Sequence, residues 1–186
     1  LDSYVAPLKA VTFYEGLGDL HAKALRLEKL AKMLAPYIDG CDAKHAGRAG
    51  CLAKADLVTG MVGEFPELQG IIGGYYARHD GEADSVATAI ATHYRPQGPA
   101  DDVPETPTAK AVALADKIDT LTGFFGIGAK PTGSRDPFAL RRAALGILRI
   151  VDEGNLNLSL DAVLADATAL HKSAGHRAKG DITSAE

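Results

Sequence analysis

Leu20, Ala24, Leu27, Ala31 and Leu34 recur at steps of three and four residues. That spacing gathers them on one side of an α-helix and predicts an amphipathic helix over Gly18 to Met33, with Lys23, Arg26 and Lys29 among its polar residues. Pro36 and Gly40 mark its end region. Asp42 is suited to accept the free amides of a first turn, so a second helix is expected from there to about Thr59. Gly60, Gly63 and Pro66 interrupt the pattern, and a shorter helix is expected over Glu67 to Arg78. ARHDGEADS then reads as a turn, after which Val86, Ile90 and Tyr94 resume helical spacing over Ser85 to Tyr94.

The stretch Arg95 to Pro107, RPQGPADDVPETP, carries four prolines and reads as an exposed, ordered loop. Thr106 before Pro107 fits a helix start, because proline has no amide proton to leave unpaired. The helix that follows, Ala109 to Phe125, lines up Val112, Ala115, Ile118, Leu121 and Phe125. GIGAKPTGSRDP is a second loop, and Asp136 is placed to cap a helix beginning at Pro137 and continuing to about Arg149. A last helix starts at Asn157 or Ser159 and fades before GHRAKGDITSAE. No internal repeat and no convincing strand stand out. The pattern predicts an all-α fold, a compact bundle of about seven helices.

The totals agree with that picture. The chain has 186 residues, 46% of them hydrophobic, enough for one domain with a real core. Tryptophan is absent and aromatics are 6%, so alanine and leucine carry the interior, which suits helices better than sheets. A net charge of -4 does not indicate a strongly basic nucleic-acid binder, although local basic clusters can still act. Cys41 and Cys51 read as small buried fillers in a reducing compartment. No run of apolar residues is long enough to span a membrane, and no secretory leader is evident. The start at Leu1 without methionine suggests a piece of something longer.

Charge matters more locally. Lys130, Arg135, Arg141, Arg142 and Arg149 stand against Asp136 alone over their stretch, a reversal of sign in an acidic chain. Arginine matches phosphate oxygens in geometry as well as charge, so a nucleic-acid backbone or an acidic protein could dock there. Alternatively, some of these arginines pair with Asp116, Asp119 or the Asp101-Asp102 loop. No nucleophile elbow, Walker loop or H-E-x-x-H pattern occurs. GIGAKPTGS lacks the G-K-[ST] ending, and turn formation is the simpler reading. His79-Asp80 is the one adjacent His-Asp pair, but it falls on a polar turn and reads as an exposed helix end. Asp56, in CLAKADLVT, and Asp116 and Asp119, in AVALADKIDTL, are sharper. A carboxylate near an apolar face needs a partner, whether a metal or Lys54, Lys117 or Arg26.

Three long strings, GLGDLHAKALRLEKLAKML, KADLVTGMVGEFPELQGIIGGYYA and TPTAKAVALADKIDTLTGFFGIGAKPTGSRDPFALRRAALGILRIV, resemble the beta subunit of bacterial glycyl-tRNA synthetase of the alpha2-beta2 type. The resemblance runs from about Val11 to Val151 and implies an HD-domain-like bundle over residues 1–175, with loops near 95–107 and 126–136 and a polar flexible tail over 176–186. Working HD hydrolases hold metal through an early histidine, a His-Asp pair and a later aspartate. The matching positions here are Lys23, Ala55-Asp56 and Asp116. Both imidazoles are missing, and Lys23 is expected near Asp56 and Asp116 in place of a metal charge. No catalytic residue, no metal and no cofactor are therefore expected in this portion. ATP and Mg2+ belong, by the same resemblance, to the alpha subunit. The implied role is a cytoplasmic, non-catalytic platform that positions tRNA(Gly), with the alpha subunit and the remaining beta domains as partners and no membrane. A metal-dependent HD phosphohydrolase with a degenerate site is the alternative.

Overall fold

In the computed structural model, which describes residues 1–133 and 135–175, the chain is an all-helical bundle with one minimal hairpin. The segment 176–186, expected as a polar tail, lies outside the described residues. The helices are α1 (Leu20–Leu34), α2 (Ala43–Leu52), α3 (Gly60–Glu64), α4 (Ile71–His79), α5 (Asp84–Thr92), α6 (Pro107–Gly126), α7 (Leu140–Glu153) and α8 (Leu160–Ser173). The hairpin pairs β1 (Thr12–Tyr14) with β2 (Gly18–Asp19) in antiparallel register. No strand was expected here. It is two short segments closed through Gly16 and Gly18, both at positive φ, and such a pair carries too few residues to show alternation.

The organising element is α6. It touches α1, α2, α5, α7 and α8. Its buried residues include the unbroken run from Ala111 to Asp119, so it has no solvent face along that length. A helix buried all round belongs at the centre of a bundle. Leu27, Leu30, Leu34, Leu52, Ile90 and Ile150 pack around its own Leu114 and Ile118, with alanines where helices approach closely. At the far end of α6, Leu17, Phe124 and Leu140 form a second cluster with Phe13 and Phe138. The hairpin thus covers the C-terminal end of α6.

The caps explain the boundaries. Asp19, Asp42, Thr59, Thr106 and Ser159 each accept an amide proton from the first turn of the helix they precede. Several expectations are corrected. The second helix ends at Leu52, not Thr59, and Ala55–Val58 form a separate 3-10 turn. Gly60–Glu64, read as a breaker, is a short helix because Thr59 caps it. The helix expected from Glu67 starts at Ile71, since Gly70 at φ 81° breaks the chain direction first. Asp136 does cap α7, through Leu140 N at 2.8 Å and Arg141 N at 2.9 Å. The helix begins at Leu140 rather than Pro137, after Ala139 at φ 53°.

Candidate functional site

Lys23 and Arg26 project from α1, Asp116 and Asp119 from α6, and Lys54 from the turn after α2. All five are buried. Asp116 and Asp119 are three residues apart on one helix and so share a face. Lys23 Nζ bridges them, 3.1 Å from Asp116 Oδ1 and 3.0 Å from Asp119 Oδ2, and donates to Thr120 Oγ1 at 2.9 Å. Arg26 Nε lies 2.6 Å from Asp119 Oδ1, and His171 Nε2 of α8 lies 3.1 Å from the same oxygen. Lys54 Nζ donates to Asp116 Oδ2 at 3.0 Å and sits 3.9 Å over the Tyr94 ring.

His93 completes the Lys54 shell. Its Nδ1 is 2.7 Å from the Ile90 carbonyl oxygen and its Nε2 is 2.8 Å from Lys54 Nζ. A carbonyl only accepts, so Nδ1 carries the proton and Nε2 accepts from the ammonium. Complete burial and the neighbouring Lys54 push the imidazole down to about 3, so it is neutral. Burial alone would raise Asp116 and Asp119, but Lys23 with Lys54 in one case, and Lys23, His171 and Arg26 in the other, hold both below the usual carboxylate range. Both aspartates are anions.

Asp56 stands apart. It is fully buried, its Oδ2 accepts from Gly70 N at 2.6 Å, and its Oδ1 has no hydrogen-bond partner among the described residues. Burial raises its carboxyl above the ordinary value, only partly offset by Gly70 and Lys54. Its neighbours are Gly73 and Ile90: a Cβ at Gly73 would lie 3.0 Å from Asp56 Oδ2 and 2.9 Å from an Ile90 methyl. The expected grouping of Lys23 with both Asp56 and Asp116 is therefore corrected. Lys23 pairs with Asp116 and Asp119, while Asp56 pins the turn before α4. Ala55 is buried beside it and brings no ligand atom.

These residues do not fit a divalent ion. Both oxygens of Asp116 face ammonium groups, and an added cation there would meet two like charges at contact distance. Among the described residues no three His, Cys, Asp or Glu side chains converge. His79 and Asp80 sit exposed at the end of α4, with Nδ1 to Oδ1 at 3.4 Å.

The basic stretch divides in two. Arg149 Nη1 donates to the carbonyls of Asp101 at 2.9 Å and Gly98 at 3.2 Å, while its Nε reaches Glu153 at 2.7 Å. Arg142 Nη1 lies 3.4 Å from the Gln97 carbonyl. Arg149 thus straps the loop over residues 95–106 to α7, and Arg142 adds one long contact. Lys130, Arg135 and Arg141 are exposed, and their side chains make no hydrogen bond or ion pair among the described residues. The GIGAKPTGS loop is a helix stop: the amides of Ile127, Gly128 and Ala129 turn back to the carbonyls of Gly123, Phe125 and Phe124. Those donors are spent and cradle no phosphate.

An open cleft of about 300 Å³ adjoins the ion network, between Tyr94–Gln97, α6 and the start of α7. Its wall includes Asp116, Lys117, Thr120, Phe138 and Arg142. Lys117 is 7% exposed, and its Nζ donates to the Tyr94 carbonyl oxygen at 3.0 Å. Burial, partly offset by Asp116, lowers its ammonium to about 8. Sequence reasoning named Lys117 only as a partner for Asp116 and missed His93 and His171. Neither histidine belongs to a ligand pattern, and only the tertiary crossing of α5, α6 and α8 brings them in.

The model of the family described as glycyl-tRNA synthetase beta subunit matches residues 1–184. The chain is 52% identical over 180 residues to the glycine–tRNA ligase beta subunit of Acidithiobacillus ferrooxidans, covering 97% of this chain and 26% of that protein. It is 56% identical over 168 residues to that of Phenylobacterium zucineum, covering 89% and 25%. The Pseudomonas putida counterpart is 56% identical over 160 residues, covering 86% and 23%. The chain thus spans about a quarter of the length of these relatives.

Proposed function

The chain belongs to the glycyl-tRNA synthetase beta subunit family, and from that premise we propose that it serves as a non-catalytic helical platform positioning tRNA(Gly). ATP-dependent glycylation, with its Mg2+, takes place on this reading at the alpha subunit, in the cytoplasm. The alpha subunit and the other parts of the beta subunit are the protein partners. Among the described residues no helix is long and apolar enough to cross a membrane.

One observation carries the non-catalytic half of the reading. The carboxylate at the position a hydrolase of this type would use for metal, Asp116, is held by Lys23 and Lys54. An ammonium is fixed in place by its own chain, cannot polarise a bound water as a Lewis acid does, and repels an incoming cation. What remains is a buried ion network and, on the surface, a set of exposed basic side chains. Lys130, Arg135 and Arg141 present unspent donors there, and backbone phosphates are recognised by such groups. Arg149 acts mainly by ordering the neighbouring loop.

The test is charge reversal of Lys130 and Arg141 to glutamate in the intact beta subunit assembled with alpha. Affinity for tRNA(Gly) should fall several-fold at low salt, with a shallower dependence on salt concentration. Unchanged affinity and slope would take this surface out of tRNA recognition.

A further inference from the structure

We propose that the cleft between α6, the start of α7 and residues 94–97 is a phosphate-binding site, taking a phosphate group carried either by a free phosphate ester or by an RNA strand.

The argument begins with Lys117. An ammonium this deeply buried normally has a carboxylate in contact, because desolvating an unpaired charge is costly. Lys117 instead has a neutral carbonyl, that of Tyr94 at 3.0 Å, as its hydrogen-bond acceptor among the described residues. The chain also makes room for it. Gly146 of α7 lies against the lysine stem, and a Cβ there would come within 2.7 Å of Lys117 Cε.

The rest of the wall has the same sign. Arg142 sits at the mouth with a single 3.4 Å contact to the Gln97 carbonyl, leaving most of its guanidinium donors for another acceptor. Among the described residues Asp116 is the one carboxylate lining the cleft, and Lys23 and Lys54 already neutralise it. Lys117 and Arg142 thus stand in the cleft wall against one carboxylate whose charge is already met from behind, in a chain whose net charge is -4. An anion that accepts from a guanidinium fork and an ammonium at once completes this arrangement, and a phosphate has that geometry. Phe138 adds an aromatic wall on which a base can lie. The site does not depend on the tRNA reading, since Lys130 and Arg141 are outside the cleft.

The test is isothermal titration of the intact beta subunit with inorganic phosphate and with AMP at low ionic strength. Saturable binding is expected, weakened about tenfold or more by Arg142→Gln and by Lys117→Met, and unchanged by Lys44→Gln, an exposed position on α2 that does not line the cleft. Arg142 is exposed, so Arg142→Gln keeps the fold and decides the matter even where Lys117→Met does not. A 5′-phosphorylated RNA oligonucleotide that competes identifies RNA as the source; one that does not identifies a free phosphate ester. Absence of saturable binding, or equal affinity in wild type and Arg142→Gln, overturns the proposal. Neither result bears on charge reversal at Lys130 and Arg141, so the two readings fail separately.

Discussion

Lys23 Nζ on α1 lies 3.0 Å from Asp119 Oδ2 on α6, with both side chains buried. The pair ties the first long helix to the central one. It also sets the charge of everything around it, because the same ammonium reaches Asp116 at 3.1 Å. A metal centre of the hydrolytic type needs carboxylates with open lone pairs. Here they are occupied by groups that the fold itself delivers.

Removing one partner from this network should show how much the fold depends on it. Asp119→Asn leaves Lys23 and Arg26 as buried cations without their shared anion. A loss of about 3–5 kcal/mol is expected in urea unfolding. Lys23→Met should cost less, since Asp119 keeps Arg26 and Asp116 keeps Lys54. A larger loss for Lys23→Met would show that the lysine, not the aspartate, is the centre of the network.

Asp56 should behave oppositely with pH. Asp116 and Asp119 have folded values below the ordinary 3.8, so they contribute stability above that pH and lose it as pH falls further. Asp56 has a folded value above 3.8, so the folded chain holds a proton longer than the unfolded one. Its contribution is lost as pH rises through that raised value. Asp56→Asn removes the titration and retains an oxygen for the Gly70 amide. The stability of the variant relative to wild type should therefore increase as pH rises from about 4 toward neutrality. A difference that stays flat over that range would mean Asp56 titrates as an ordinary carboxylate.

Much of the bundle was legible because helix signals are local. Thr106-Pro107 and Asp42 mark real starts, and the apolar rows of α1 and α6 face the core as their spacing requires. The errors have physical causes. Periodicity places Lys23 and Arg26 only among the polar residues of α1, and their shared partner Asp119 emerges only when α6 crosses α1. The end of α2 was missed because a 3-10 turn such as Ala55–Val58 keeps nearly the same side-chain spacing as an α-helix. That some arginines turn to the Asp101-Asp102 loop was legible, but which ones was not, because Arg142 and Arg149 bind backbone carbonyls, which every residue of the proline-rich loop offers alike. The site positions were placed by resemblance; which of them touch was decided by tertiary structure.

Two glycines on α2 separate tolerance from clash. A Cβ at Gly47 would meet only the stem of Lys32, a long side chain that is 47% exposed and able to move. A Cβ at Gly50 would lie 2.7 Å from the Leu27 carbonyl oxygen, which is backbone of α1. Gly47→Ala should therefore be neutral or stabilising by up to about 1 kcal/mol through helix propensity. Gly50→Ala should destabilise by roughly 1–3 kcal/mol as α1 and α2 are forced apart. Chemical denaturation of both variants checks the contrast, and similar midpoints would contradict the close approach of these helices.

Lys117 gives the test with the least obvious sign. Its folded value of about 8 lies below the ordinary 10.5, so between those values the unfolded chain binds the extra proton. Stability then rises with pH across that window, and below it the buried charge is carried at a cost. Lys117→Met removes the charge while keeping an apolar stem of similar length. The variant should be more stable than wild type at pH 7 by roughly 1–3 kcal/mol, with the advantage shrinking toward pH 10. Thermal unfolding across that range measures it. A less stable variant at pH 7 would show that the bond to the Tyr94 carbonyl outweighs desolvation. Added phosphate should raise the melting temperature of wild type more than that of Lys117→Met, because a ligand stabilises only the state that binds it. A position where the native residue weakens the fold and the loss is recovered by an anion is one kept for binding rather than for stability.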